Sequence, residues 1–203
     1  MLAAFAAVLI VLFVMSLALR AKTPPPNLLG APTAPHQIGE KNTGRLWTVL
    51  TDTLGYFSVE VVGTPITNEQ EHQDGRTTRV LSSYHYLHDE PDDEALVLVA
   101  LFATPPLDWK PLSEEERFAN LRSTITGTLN RKILESHSIS FEMFPGMEHR
   151  IREDNGRITI SRTYLIGDNT LALTAGFINE ADVSDDVTRF FNSLRWLKPE
   201  PSP

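Results

Sequence analysis

Residues 157–177 read RITISRTYLIGDNTLALTAGF. Ile158, Ile160, Tyr164 and Ile166 alternate with mostly polar neighbours, and Leu171, Leu173, Ala175 and Phe177 recur at the same period of two after Gly167-Asp168-Asn169. Alternation at period two is the mark of a strand with one buried face, and a short Gly/Asp/Asn break between two such runs is a tight hairpin. Upstream, Met147–Glu153 runs into Asp154-Asn155-Gly156, and Asn-Gly is the strongest short hairpin signal. Three neighbouring strands joined by short turns predict an antiparallel meander. Ile133–Met143 adds another strand, with Pro145-Gly146 as the turn that follows it.

Working toward the amino terminus, Ser113-Glu114-Glu115-Glu116 has the spacing of a capping box, Ser113 being the cap and Glu116 the reciprocal partner. Phe118, Leu121, Ile125 and Leu129 then follow helical spacing, which predicts a helix ending near Arg131. Ala95–Ala103 (ALVLVALFA) is wholly apolar and predicts a central strand buried on both faces. Arg76–Leu87, Tyr56–Val62 and Leu46–Leu50 are further strand segments, the last two separated by Asp52-Thr53-Leu54-Gly55. Pro65, Pro91, Pro105, Pro106, Pro111 and Pro145 read as turn markers between periodic runs. At the other end, Asp182 or Ser184 caps a second helix whose Val187, Phe190, Phe191, Leu194 and Leu197 form one apolar stripe, with Trp196 closing it. Burying one such aromatic contributes about 1.5–3 kcal/mol, so this helix belongs on the sheet. The expected fold class is α+β, an antiparallel β-sheet with helices packed on it, over residues 45–198.

Residues 1–19 differ from all of this. MLAAFAAVLIVLFVMSLAL has no charge before Arg20 and no polar stripe. As a helix it spans about 28 Å, close to the ~30 Å hydrocarbon core of a bilayer. The favoured reading is one transmembrane helix within residues 1–22. A cleaved signal peptide, with Ser16-Leu17-Ala18 as the small-x-small site, and a buried helix are the alternatives. A signal peptide wants a basic start and a shorter apolar stretch, and a buried helix wants a polar stripe. Arg20 and Lys22 would hold the domain on the cytoplasmic side, whereas an amino-terminal apolar segment is the usual export signal. The side of the soluble domain therefore stays open. Residues 23–44, TPPPNLLGAPTAPHQIGEKNTG, hold five of the 14 prolines and read as an extended linker; residues 199–203, PEPSP, are a proline-rich tail.

Composition narrows the chemistry. The 203 residues hold 18 Lys+Arg against 26 Asp+Glu and no Cys. Disulfides, thiolate metal sites and a Cys nucleophile are thereby excluded. The acidic balance speaks against nucleic acid as a partner. Six histidines are scattered; His85 and His88 fall on opposite faces of a strand, and His36, His72, His137 and His149 stand alone. The acidic run Asp89-Glu90-Pro91-Asp92-Asp93-Glu94 could attract Ca²⁺ but lacks the spacing and turn glycine of an EF-hand, so it reads as a solvated hairpin. Arg150, Arg152, Arg157 and Arg162 could form a small anion-binding patch, and the blander account pairs them with Glu148, Glu153 and Asp154. No nucleophile elbow or glycine-rich phosphate loop occurs. No catalytic, cofactor-binding or metal-binding residue is assigned, and no cofactor is expected.

Three segments carry a resemblance. Phe57-Ser58-Val59-Glu60-Val61-Val62-Gly63-Thr64-Pro65 opens the domain, Arg162-Thr163-Tyr164-Leu165 lies in a late strand, and Phe190-Phe191-Asn192-Ser193-Leu194-Arg195-Trp196 closes it. With the element order, these segments resemble the small α+β domains related to the photosystem II protein PsbP and the Ran-binding protein Mog1. The resemblance implies a fold and brings no catalytic signature. The expected function is a membrane-tethered, non-enzymatic accessory or interaction domain. It would be held in the bilayer by residues 1–19 and would serve an unidentified protein partner. The alternative is a small-ligand-binding domain or enzyme with its site between helix and sheet, where distant strands would supply the residues.

Overall fold

The computed structural model describes residues 46–52, 55–62, 64–71, 77–86, 95–105, 110–127, 131–154, 156–178, 180 and 184–197; for 64–86 it gives the backbone course. In chain order these form β1 (Trp47–Thr51), β2 (Phe57–Val62), β3 (Thr64–Glu71), β4 (Thr77–Tyr86), β5 (Ala95–Ala103), α1 (Glu114–Gly127), β6 (Lys132–Phe141), β7 (Phe144–Arg152), β8 (Ile158–Ile166), β9 (Asn169–Phe177), α2 (Ser184–Asn192) and β10 (Arg195–Trp196). The class is α+β, with two helices and antiparallel pairing throughout. There are two sheets where one was expected: a seven-stranded sheet ordered β3-β4-β5-β9-β8-β7-β6, and a three-stranded sheet ordered β1-β2-β10.

The strand register explains the core. Residues facing one another across an antiparallel ladder share a face. Leu171 lies between Phe102 and Tyr164, and Ala175 lies between Leu98 and Ile160. This face, with Phe177 and Phe144, is buried beneath Phe57, Val59 and Val61 of β2 and Val187, Phe190, Phe191 and Leu194 from the α2 segment. The opposite face takes α1, whose Leu121 and Ile125 pack on Ile151 of β7, with Phe118 and Ile133 beside them. Ala95–Ala103 is the central strand that its composition predicts, with Leu96 to Ala103 all buried.

The capping box forms as expected. Ser113 N–H donates to Glu116 Oε2 at 2.8 Å, and Glu116 N–H donates to Ser113 Oγ at 3.3 Å. Glu116 is held below the usual carboxylate range, first by the Ser113 backbone N–H and then by its hydroxyl. The box is fastened to the sheet by Arg117, whose guanidinium donates to the carbonyls of Gly167 (2.6 Å), Asp168 (3.1 Å) and Asn169 (2.8 Å) at the β8–β9 turn.

Five expectations are corrected. Residues 64–71 form a strand, and Pro65 lies inside it; β3 is at the edge of its sheet, where a missing amide is tolerated. Helix α1 is described to Gly127, and Arg131 and Lys132 do not form its last turn: Arg131 meets Glu153 at 3.4 Å and Lys132 opens β6. The turn after β6 is Glu142–Met143, with Glu142 in the left-handed region at φ 54°, while Pro145 and Gly146 belong to β7. Strand β2 is buried on both faces except at Glu60, since it is the middle strand of the small sheet and packs into the core. Helix α2 ends at Asn192, so Trp196 is in a strand and Leu197 stays 49% exposed. The Ser193 hydroxyl donates to Phe190 O and Arg195 donates to Asn192 O, meeting the last carbonyls of the helix, and Arg195 also donates to Leu194 O as the chain turns back to β2.

Among the described residues no helix is long and apolar enough to cross a membrane. Residues 1–22, the linker 23–44 and the tail 199–203, on which the membrane reading falls, lie outside the described residues.

Candidate functional site

The α1-facing side of the large sheet carries an unusual polar row. Reading across the strands, Val99, Thr174, Ser161, His149 and Ser136 are successive register partners. Thr174 and His149 are buried, as are Thr163 and Thr159 on neighbouring rows. Ser161 and Thr174 share a hydroxyl hydrogen bond at 3.3 Å, and Thr159 donates to Glu153 at 3.1 Å. His149 is 1% exposed, and among the described residues neither ring nitrogen has a hydrogen-bond partner. Burial first, and then the positive charge of Arg122 on α1, push its pKa down to about 4. The imidazole is therefore neutral at physiological pH. Arg122 itself donates to Ser136 Oγ at 3.1 Å at the rim of the row.

His149 reaches this place because Met147, His149 and Ile151 alternate on one face of β7. Sequence reasoning left it among the scattered histidines; its position two residues before a core Ile was the available signal. A neutral imidazole beside serine hydroxyls has the chemistry of a proton acceptor, but at 1% exposure it touches protein and not solvent.

The other face carries Arg162 and Arg150. Arg162 Nε donates to Glu148 at 2.6 Å, and its guanidinium carbon stands 4.4 Å from the centre of the Phe191 ring. Arg150 grips Glu180 with two hydrogen bonds, at 2.8 and 2.5 Å, which raises its pKa and holds that carboxylate low. Arg157 is buried, which lowers its pKa, while the charge of Glu153 acts the other way. Arg152 is exposed at the end of β7. The four arginines thus do not converge on one anion site. Arg162 and Arg157 have the carboxylate neighbours anticipated, Glu148 and Glu153, whereas Arg150 takes Glu180 from beyond the meander.

His137 is exposed and lies 3.4 Å from Glu135. His36, His72, His88 and the acidic run 89–94 lie outside the described residues, and of His85 the backbone alone is given, in β4. Among the described residues no three His, Cys, Asp or Glu side chains converge as metal ligands.

No protein-family model and no curated protein matches the sequence. Among solved structures, the chain is similar to LpqN of Mycobacterium tuberculosis, a protein involved in cell envelope biogenesis, with TM-score 0.44 and 11% identity over 77% of this chain and 93% of that one. It is also similar to the cyanobacterial PsbP (CyanoP) of Synechocystis sp. PCC 6803, with TM-score 0.49 and 11% identity over 86% of this chain and 99% of that one.

Proposed function

We propose that this chain is a membrane-tethered, non-enzymatic accessory domain that serves a protein partner. The observation that carries the reading is the order of segments: an uncharged apolar run at 1–19, a proline-rich stretch at 23–44, then an acidic domain. A bilayer accepts such a run as a helix, because the helix satisfies its own backbone groups. The residues after 26 carry 16 basic and 26 acidic side chains, so an anionic membrane surface repels the domain while the linker spaces it away. The ion pairs Arg162–Glu148, Arg189–Glu60 and Arg131–Glu153 use charge to fasten elements together, which suits a rigid binding body.

Alkaline extraction tests the tether. The full chain stays with the membrane pellet and a chain lacking residues 1–22 is released; release of the intact full chain would overturn the reading. A reporter fused after Pro203 reads the side of the bilayer. Capture of the solubilised full chain, with the shortened chain as control, tests for a partner. The ligand-binding or enzymatic alternative has one observation in its favour, the buried His149 ring beneath α1, whose two nitrogens have no hydrogen-bond partner among the described residues.

A further inference from the structure

Strand β6 ends the seven-stranded sheet, and among the described residues it is paired on one side only, with β7. Such an edge offers a row of backbone N–H and C=O groups to another strand. The hairpin fixes which residues offer them. Phe141 and Phe144 close the two-residue turn Glu142–Met143, and such a closing pair exchanges backbone hydrogen bonds. Pairs then alternate. Residues 141, 139, 137 and 135 direct their backbone groups to β7, while Ser140, Ser138 and Ser136 direct theirs outward. Pro145 agrees with this, since it faces Ser140 at a position where no N–H is needed.

The register shifts between Ile133 and Glu135, so the regular edge is the run Glu135–Phe141. It contains no proline and no lysine, the usual guards of an open edge. Glu135, His137, Ser138 and Ser140 are exposed. The outward groups at 136, 138 and 140 are symmetric about Ser138.

We propose that β6 pairs antiparallel with β6 of a second copy of this chain, about a two-fold axis at Ser138, joining two large sheets into one. Ser138 then meets its own counterpart, and Ser136 meets Ser140 in both directions, so every outward backbone group of the run finds a partner. On one face serines lie against serines; on the other His137 lies opposite Ile139 and Glu135 opposite Phe141, with no like charges directly opposed. A single-strand contact of this length buries less than the roughly 1,200 Å² of a standard interface, so the dimer is weak in dilute solution. Copies held in one membrane raise each other's effective concentration; that strengthening rests on the tether proposed above, and the pairing does not.

The chain has no cysteine, so single substitutions report the register directly. In the full chain, in detergent and under mild oxidation, Ser138→Cys forms a disulfide dimer, because the paired Cα atoms stand about 5.5 Å apart. Ser136→Cys alone and Ser140→Cys alone stay monomeric, while their mixture cross-links. Equal cross-linking of all three, or none by Ser138→Cys, would overturn the proposal. Sedimentation equilibrium of the unmodified chain gives a monomer–dimer equilibrium; a monomer up to about 1 mM overturns it too. Ser138→Pro removes an outward amide and weakens association at least about tenfold with the circular dichroism unchanged. Ser138→Lys, placing like charges on the axis, does the same should the proline variant not fold. If the chain proves to be aqueous, the same measurements run in buffer decide the pairing alone.

Discussion

Arg189 Nε donates to the Glu60 carboxylate at 2.6 Å, across the junction between α2 and β2. The same guanidinium lies 4.3 Å from the centre of the Trp47 ring in β1, so one side chain ties the last helix to two strands. The backbone repeats the tie four residues on, where the Glu60 N–H donates to Ser193 Oγ at 2.8 Å. Arg162 serves α2 in the same manner from the other side, between Glu148 and Phe191. The helix is thus held by an apolar stripe beneath and by two arginines, each between a carboxylate and an aromatic ring.

Replacing Arg189 by Ala removes a charge-assisted hydrogen bond and a cation–π contact and leaves Glu60 half-buried. The expected loss is about 2–3 kcal/mol of unfolding free energy, measured by urea denaturation. Arg189→Lys recovers only part of it, because an ammonium lacks the planar fork that serves both partners. Equal stability of parent and Arg189→Ala would show that the apolar stripe alone holds the helix.

How the sequence disclosed this architecture differs from element to element. Leu171, Leu173, Ala175 and Phe177 declared their face because they recur at period two, with the smaller Ala172, Thr174 and Gly176 between them, and all four are buried. Ser113 and Glu116 disclosed the start of α1 because a capping box is a local device. Residues 64–71 did not, since TPITNEQE is polar and contains a proline, and an edge strand needs only one neighbour. Trp196 was drawn into the helix by its spacing; tertiary pairing of Arg195 with Ser58 and Trp196 with Phe57 overrode that pattern. Division into two sheets depends on which strands meet in space, which no local spacing encodes. For the candidate site, His149 lay in plain view, but its isolation became visible only once Ser136 and Ser161 were placed beside it.

His149 makes stability depend on pH in a defined window. Its pKa is about 4 in the folded chain against an ordinary 6.5. Between those values the unfolded chain binds the extra proton, so stability falls as pH falls from about 6.5 and levels off below about 4. At 1.36 kcal/mol per pH unit the loss approaches about 3 kcal/mol. Glu180 and Glu116, whose pKa values are lowered from 4.5, add their own losses only at more acid pH. Denaturation midpoints between pH 6.5 and 5 should therefore slope in the parent and flatten in His149→Leu. Matching slopes in the two proteins would mean that the ring is not neutral and buried.

Gly146 tests the close packing of β7 on β8. A Cβ built there would stand 2.6 Å from Tyr164 Cδ1 and 2.9 Å from the Thr163 carbonyl oxygen. Tyr164 is 4% exposed and its ring centre is 5.6 Å from that of Phe141, so the ring has little room to retreat. The carbonyl belongs to the β7–β8 ladder and cannot retreat without disturbing the register. In an open strand, Gly→Ala gains about 0.5–1 kcal/mol. Here the overlap reverses the sign, and Gly146→Ala is expected to lose about 1–3 kcal/mol in thermal or urea unfolding. Tyr164→Leu in the same chain clears part of the overlap, so the double variant should lose less than the two single losses added together. Strict additivity would mean that the Tyr164 ring does not crowd position 146.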